Sequence, residues 1–186
     1  MKRLFDLLFS ILGLITLSPI FLLVAVLIKI TSRGSVFFLS DRIGENNTVF
    51  KMIKFRTMRV NTPIVATHLL AYPELQITPI GNFLRRTSLD EIPQLLNIVL
   101  GNMSIVGPRP ALFNQYDLIA LRTKHNIHKI KPGLTGWAQV NGRDLLSIEQ
   151  KVALDRHYLE FQSLPFDVYI IFLTAYRVLS SEKISH

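Results

Sequence analysis

The chain has 186 residues, with 21 Lys or Arg against 13 Asp or Glu for a net charge of +8, and 49% of its residues are hydrophobic. That length gives one domain with room for a core and a membrane appendage, and the charge suits an anionic partner: nucleic acid, acidic headgroups or a phosphorylated substrate. No cysteine occurs, which excludes disulfide scaffolds, cysteine nucleophiles and zinc–thiolate sites.

Residues 7–28 carry no charge, and Lys2, Arg3, Lys29 and Arg33 flank them. A run of this kind matches the roughly 20 residues that cross a hydrocarbon core of about 30 Å. It is too long for the apolar stretch of a signal peptide, and no small-x-small cleavage site follows. Ser18-Pro19 falls near its middle. Pro19 cannot donate to the Ile15 carbonyl and its ring pushes against that group, so a kink is expected. The Ser18 hydroxyl can return to a nearby carbonyl and limit the cost. The two arms, of about 16 and about 12 residues, extend roughly 24 and 18 Å, enough for each to reach the bilayer midplane. Positive charge at both ends fits a re-entrant hairpin with both ends cytoplasmic. A kinked span satisfies the same pattern, so the residues leave both topologies open.

Beyond Arg33, Val36-Phe37-Phe38-Leu39 and residues 49–55 are rich in β-formers, with Gly44, Asn46 and Asn47 between them. A β-hairpin with a long loop is predicted. Lys54 and Arg56 alternate on its second strand and therefore share a face. Residues 61–76, broken by Pro63 and Pro73, give no assignment. Helices are predicted over 92–100, 112–123, 148–161 and 166–179. The last carries Tyr169, Phe172, Tyr176 and Arg177 among aliphatics and reads as core rather than as a membrane-interface helix. His125 and His128 lack a third ligand nearby and read as surface residues. The fold class is α+β, helix-rich: a single domain with a small β-hairpin behind an N-terminal membrane helix broken at Ser18-Pro19. Residues 1–32 form the anchor and 33–186 the catalytic domain, with interfacial helices.

Four stiff, basic motifs surround one acidic pair, Asp90-Glu91. Ser88-Leu89-Asp90-Glu91 has the form of a capping box. Pro93 would then fall inside the helix, where its missing N–H matters, so a start nearer Asp90 is the alternative. Either start puts two carboxylates at the positive end of a helix, where both should be ionised. Ionised neighbours are what Mg²⁺ binding or nucleophilic attack on phosphorus requires. In Gly107-Pro108-Arg109-Pro110 the residue before a proline is pushed out of the helical region. The flanking rings also reduce the entropy lost when the Arg109 guanidinium is fixed on an oxyanion. Lys131-Pro132-Gly133 suits a type II turn. Asn141-Gly142 suits a tight turn that aims Arg143 inward. Trp137 fits the core and a ring-stacking role equally. No GxxxxGK[ST] or GxGxxG motif occurs.

Taken together, Leu17-Ser18-Pro19, Lys54-Phe55-Arg56-Thr57-Met58, the stretch 87–95, the stretch 101–110 and the run from Lys131 to Arg143 resemble the bacterial sugar transferase family. These are monotopic phosphoglycosyl transferases that start glycan assembly on polyprenyl phosphate. The likeness covers nearly the whole chain, in the minimal catalytic form of the family. It implies a re-entrant helix broken at Ser18 and Pro19, Asp90 as nucleophile, and Glu91 with Asp90 as holders of Mg²⁺. It also implies phosphate or substrate roles for Lys54, Arg56, Arg85, Arg109, Arg143, Asp155 and Asp167. The implied donor is a UDP-sugar and the implied acceptor polyprenyl (undecaprenyl) phosphate. Membrane lipids are partners, nucleic acid is not, and a homodimer is left open. The implied location is the bacterial inner membrane, with the catalytic domain on its cytoplasmic face. Asn102, Ser35 and Gln162 depart from the family pattern, and the last bears on sugar choice.

Two rivals make different demands. A membrane pyrophosphohydrolase would use the same carboxylates with water as acceptor and ignore polyprenyl phosphate. A membrane-tethered binder of acidic lipid or nucleic acid would show steep salt dependence and tolerate loss of Asp90.

Overall fold

The computed structural model describes residues 1–63, 73–142 and 145–180. Helix α1 (Lys2–Thr16) stops two residues before Ser18, and α2 (Ser18–Thr31) carries Pro19 in its first turn, where no backbone donor is needed. Ser18 Oγ donates to the Ile15 carbonyl at 2.8 Å, the return bond expected from sequence. The helix axes bend by 61° at this break. Among the described residues no single helix is long and apolar enough to cross a membrane, but this bent pair together has the length and composition.

Both ends of the pair are bound to the same body. Lys2 Nζ lies 2.6 Å from Asp167 Oδ2, and Arg3 donates to the carbonyls of Ile98 and Val99 at 2.5 and 2.9 Å. Asp6, only 3% exposed, accepts from Ser104 Oγ and the Ile105 N–H, both at 3.1 Å. At the other end Arg56 donates to the Ser32 carbonyl and hydroxyl and to the Arg33 carbonyl. Between these fixings Leu8, Leu12, Ile15, Leu22 and Leu23 are exposed. The bent pair thus leaves from and returns to the same body, the geometry that a re-entrant loop requires.

Strands β1 (Phe37–Ile43) and β2 (Val49–Phe55) form the antiparallel hairpin, in register from Phe37–Phe55 to Ile43–Val49. Asn46 and Asn47 take the left-handed backbone its loop needs. Phe21 of α2 packs 4.8 Å from Phe55, which stacks on Phe37, joining the anchor to the hairpin. After α3 (Pro73–Gln76) and α4 (Gly81–Arg86), helix α5 (Gln94–Leu100) lies against β2 and α1. Its Asn97 accepts from the Ile53 N–H and donates to the Lys51 carbonyl, at 2.9 and 2.8 Å, satisfying the edge of β2 as a third strand would.

A second, parallel pair was not foreseen: β3 (Ser104–Val106) with β4 (Gly133–Thr135). Three residues per strand are too few to show an alternating pattern. Gly133 opens β4 rather than completing the expected type II turn, and a Cβ there would overlap the backbone of Gly107. The helix expected over 112–123 begins later, as α6 (Tyr116–Lys124), because Leu112 bridges to Arg42 of β1. After the single turn of α7 (Trp137–Val140), α8 (Ile148–Phe161) matches its expectation and starts in a Ser147–Gln150 capping box. Helix α9 (Leu164–Leu179) starts two residues early, capped by Ser163 with Pro165 in its first turn.

The core expectation for α9 holds for one stripe only. Asp167 and Ile170 are fully buried, whereas Val168, Tyr169, Phe172 and Tyr176 are half or more exposed. Trp137 packs beside that helix, 5.2 Å from Phe166, and is half-buried. His125 and His128 are also half-buried rather than on the surface. Ile127 between them inserts among Ala111, Leu118 and Val152 and draws that turn inward.

Candidate active site

Asp90 and Glu91 lie in one 3₁₀ turn, Leu89–Glu91, between α4 and α5. Ser88 has φ 55° and caps nothing with its side chain, so the capping box is not formed. Pro93 instead takes the cap position of α5, where its missing N–H costs no hydrogen bond. The carboxylates thus precede the helix in a tight turn, rather than occupying its first positions as expected.

Cations from three other segments meet them. Lys54, at the end of β2, places Nζ 2.7 Å from Glu91 Oε1 and 3.9 Å from Asp90 Oδ2. Arg109 Nη2 lies 3.3 Å from the same Glu91 oxygen. Arg85, on α4, donates Nε to Thr57 Oγ1 at 3.0 Å, and its charge acts on Asp90. Asp90 is 8% exposed. Burial pushes its carboxyl above the usual carboxylate range; Lys54 pulls it back, Glu91 adds to the rise, and Arg85 and Arg109 oppose it. Its anionic form therefore depends on those three cations rather than on a helix end. Burial likewise lowers the Lys54 ammonium, chiefly against the pull of Glu91.

The reading from sequence missed Arg42. It ended the first strand at Leu39, but the pairing continues through Arg42–Phe50. Arg42 donates to Ser40 Oγ and to the Pro110 carbonyl, both at 3.2 Å. Burial, and next the charge of Arg109, bring its guanidinium down to about 10 while Glu91 raises it, so it stays charged at neutral pH. Asp41, a poor strand former, hid the continuation, and Ile43 was the one signal beyond Leu39.

Asp155 and Asp167 are buried away from the pair, each in a supporting contact. Asp155 Oδ2 accepts from Arg122 Nε and Nη2 at 3.0 and 2.6 Å, and Arg122 Nη1 donates to the Arg109 carbonyl at 2.8 Å. Arg122, also missed, thus fixes the backbone of the arginine that reaches Glu91. Asp167 accepts from Lys2 and from the Tyr158 hydroxyl, which also donates to the Val106 carbonyl. Arg56 does not join Lys54 on the carboxylates; it lies just past β2 and turns to Ser32 and Arg33. Arg143 lies outside the described residues.

No group of three or more His, Asp or Glu suited to a metal forms among the described residues. The arrangement is a two-carboxylate, multi-cation site able to neutralise phosphoryl oxygens and to present a carboxylate oxygen to phosphorus.

Comparison with known proteins bears on this geometry. The bacterial sugar transferase pattern matches residues 1–181. The exopolysaccharide production protein ExoY of Sinorhizobium fredii is 43% identical over 188 residues, covering 93% of this chain and 83% of that protein. The sugar transferase EpsL of Bacillus subtilis is 39% identical over 184 residues, covering 99% and 90%. The UDP-glucose:undecaprenyl-phosphate glucose-1-phosphate transferase of Escherichia coli is 40% identical over 186 residues; the match covers 95% of this chain and only 40% of that protein's length.

Proposed function

The chain belongs to the bacterial sugar transferase family, and from that premise we propose that it moves a sugar 1-phosphate from a UDP-sugar to undecaprenyl phosphate, releasing UMP. The observation that carries this reading is the buried Asp90 in one turn with Glu91, faced by Lys54 and Arg109. The names of its relatives in E. coli and S. fredii support the acceptor and the setting in exopolysaccharide synthesis.

In the first step an Asp90 carboxylate oxygen attacks the β-phosphorus, and the bond from that phosphorus to the bridging oxygen breaks. UMP departs with the electron pair, leaving an aspartyl phospho-sugar. In the second step an oxygen of undecaprenyl phosphate attacks the same phosphorus. The aspartyl–phosphorus bond breaks, Asp90 is restored as a carboxylate, and a polyprenyl diphospho-sugar forms. Lys54 and Arg85 favour the charged carboxylate before attack, and Arg109 neutralises oxygens during it.

The donor set fits Mg²⁺, which uses one or two carboxylates together with substrate phosphate oxygens and water, without an all-protein cage. Glu91 and Asp90 would hold it, and it would supply further neutralisation of phosphoryl charge. The placement is the cytoplasmic face of the inner membrane, with residues 1–32 as a re-entrant anchor. The fixings of Lys2, Arg3, Ser32 and Arg33 to one body support the re-entrant course, and the exposed apolar face of α9 supports contact with lipid.

The testing experiment measures UMP release from a panel of UDP-sugars, with and without undecaprenyl phosphate. Sustained turnover only with the lipid is expected; equal turnover without it would instead identify a hydrolase. Lys54→Met should lower turnover roughly 100-fold, the loss typical of one electrostatic group. It should also move the acid limb of the pH–rate profile upward, because Asp90 loses the cation that most opposes its burial.

A further inference from the structure

The C-terminal end of α2 borders a basin of about 310 Å³, lined by Ser32, Arg33, Arg56, Arg59, Val60 and Thr78 among others. Three guanidinium groups line it, and among the described residues no carboxylate does. Arg56 is 5% exposed; its terminal nitrogens are taken by Ser32 and Arg33, yet its buried Nε has no partner among the described residues. A buried donor left unpaired is unfavourable, so the basin calls for an acceptor at Arg56.

The surroundings point to the kind of acceptor. Leu23, Leu27 and Thr31 follow at four-residue spacing on one ridge of α2. Leu23 and Leu27 are exposed, and Thr31 lines the basin. An apolar ridge therefore ends at a cationic basin, the surface an amphiphile with an anionic head matches. We propose that this basin binds the phosphate of a membrane phospholipid, with an acyl chain along the Leu23–Leu27 ridge. The site is separate from the acidic pair: Arg56 turns to the anchor while Lys54 turns to Glu91. One wall connects them, since Thr78 donates to the Thr57 carbonyl and Arg85 donates to the Thr57 hydroxyl. The proposal rests on the membrane placement above and not on the aspartyl chemistry.

Calorimetric titration of the full chain in non-ionic detergent, with UMP present at saturation, tests it. The probes are dihexanoylphosphatidylglycerol and inorganic phosphate. The phospholipid should saturate a single site at least tenfold more tightly than inorganic phosphate. Arg33→Gln with Arg59→Gln should weaken binding roughly 30-fold, the loss expected for two basic residues at a lipid surface. Lys124→Gln with Lys129→Gln, outside the basin, should leave it within about twofold. Inorganic phosphate binding as tightly as the phospholipid, a lack of saturation, or an equal loss in the Lys124/Lys129 pair would overturn the proposal. Lys54→Met should leave the titration unchanged, so failure of the transferase reading, seen as absent UMP release, is told apart from failure here.

Discussion

Asp90→Asn abolishes UMP release and, at neutral pH, raises the melting temperature. The first effect follows from loss of the nucleophile, and a fall of more than about 10⁴-fold is expected. The second follows from burial. The folded chain holds the Asp90 proton more tightly than the unfolded chain does, so that contribution is complete below the unfolded carboxyl value. It is lost as pH rises through the raised folded value. Above that window the ionised group opposes folding, and a neutral isostere removes the opposition. Melting curves of both proteins across pH 4 to 8 check this: they should converge at the acid end and separate toward neutrality, with the variant the more stable. Unchanged turnover in the variant would exclude the aspartyl intermediate, whereas equal melting at pH 7 would show that Lys54, Arg85 and Arg109 fully offset burial.

Arg122→Ala destabilises the chain by about 3–5 kcal/mol, because it leaves the Asp155 carboxylate, 1% exposed, without its partner. For a chain of this size that is a fall of about 10 °C in melting temperature. The same substitution releases the Arg109 carbonyl, so KM for the UDP-sugar should rise even at temperatures where the variant is folded. Arg122→Met combined with Asp155→Leu separates the two consequences. A buried ion pair replaced by apolar side chains is often neutral or stabilising, so the double variant should melt near the parent. Its KM should nevertheless stay high, since the bond from Arg122 to the Arg109 carbonyl is still missing. Recovery of both properties would mean that Arg122 has only a packing role.

The parts of the fold legible in the sequence were those with a strong local signal. The Ser18-Pro19 break, the hairpin and α8 each carry one: a proline in an apolar run, β-formers on either side of Asn46-Asn47, and a serine cap. The β3–β4 pair carries none, because its strands are held by the close approach of Gly107 and Gly133, which are distant in sequence. At the site, Asp90, Glu91, Lys54 and Arg109 were identified by residue type and stiffness of their motifs, and the structure brings them together. Arg42 and Arg122 were not, since an arginine's role depends on which carbonyl or carboxylate it meets in three dimensions. Arg56 shows the converse: alternation put it beside Lys54, but the oxygens of Ser32 and Arg33 after α2 draw its guanidinium away from the acidic pair. Its neighbour Arg33, read only as a flanking charge, is where it turns.

The re-entrant anchor proposed above, with both ends of the bent helix pair held on one domain, has a consequence for bilayers of different thickness. A spanning helix must match two water boundaries, and it tilts or thins the lipid when it fails to. A loop that enters and leaves by the same leaflet has only one boundary to satisfy. Thicker or thinner membranes then change how near the Leu17 apex comes to the opposite leaflet, and leave the height of Asp90 above the lipid unchanged. Such a chain should turn over equally in nanodiscs made from short or long acyl chains.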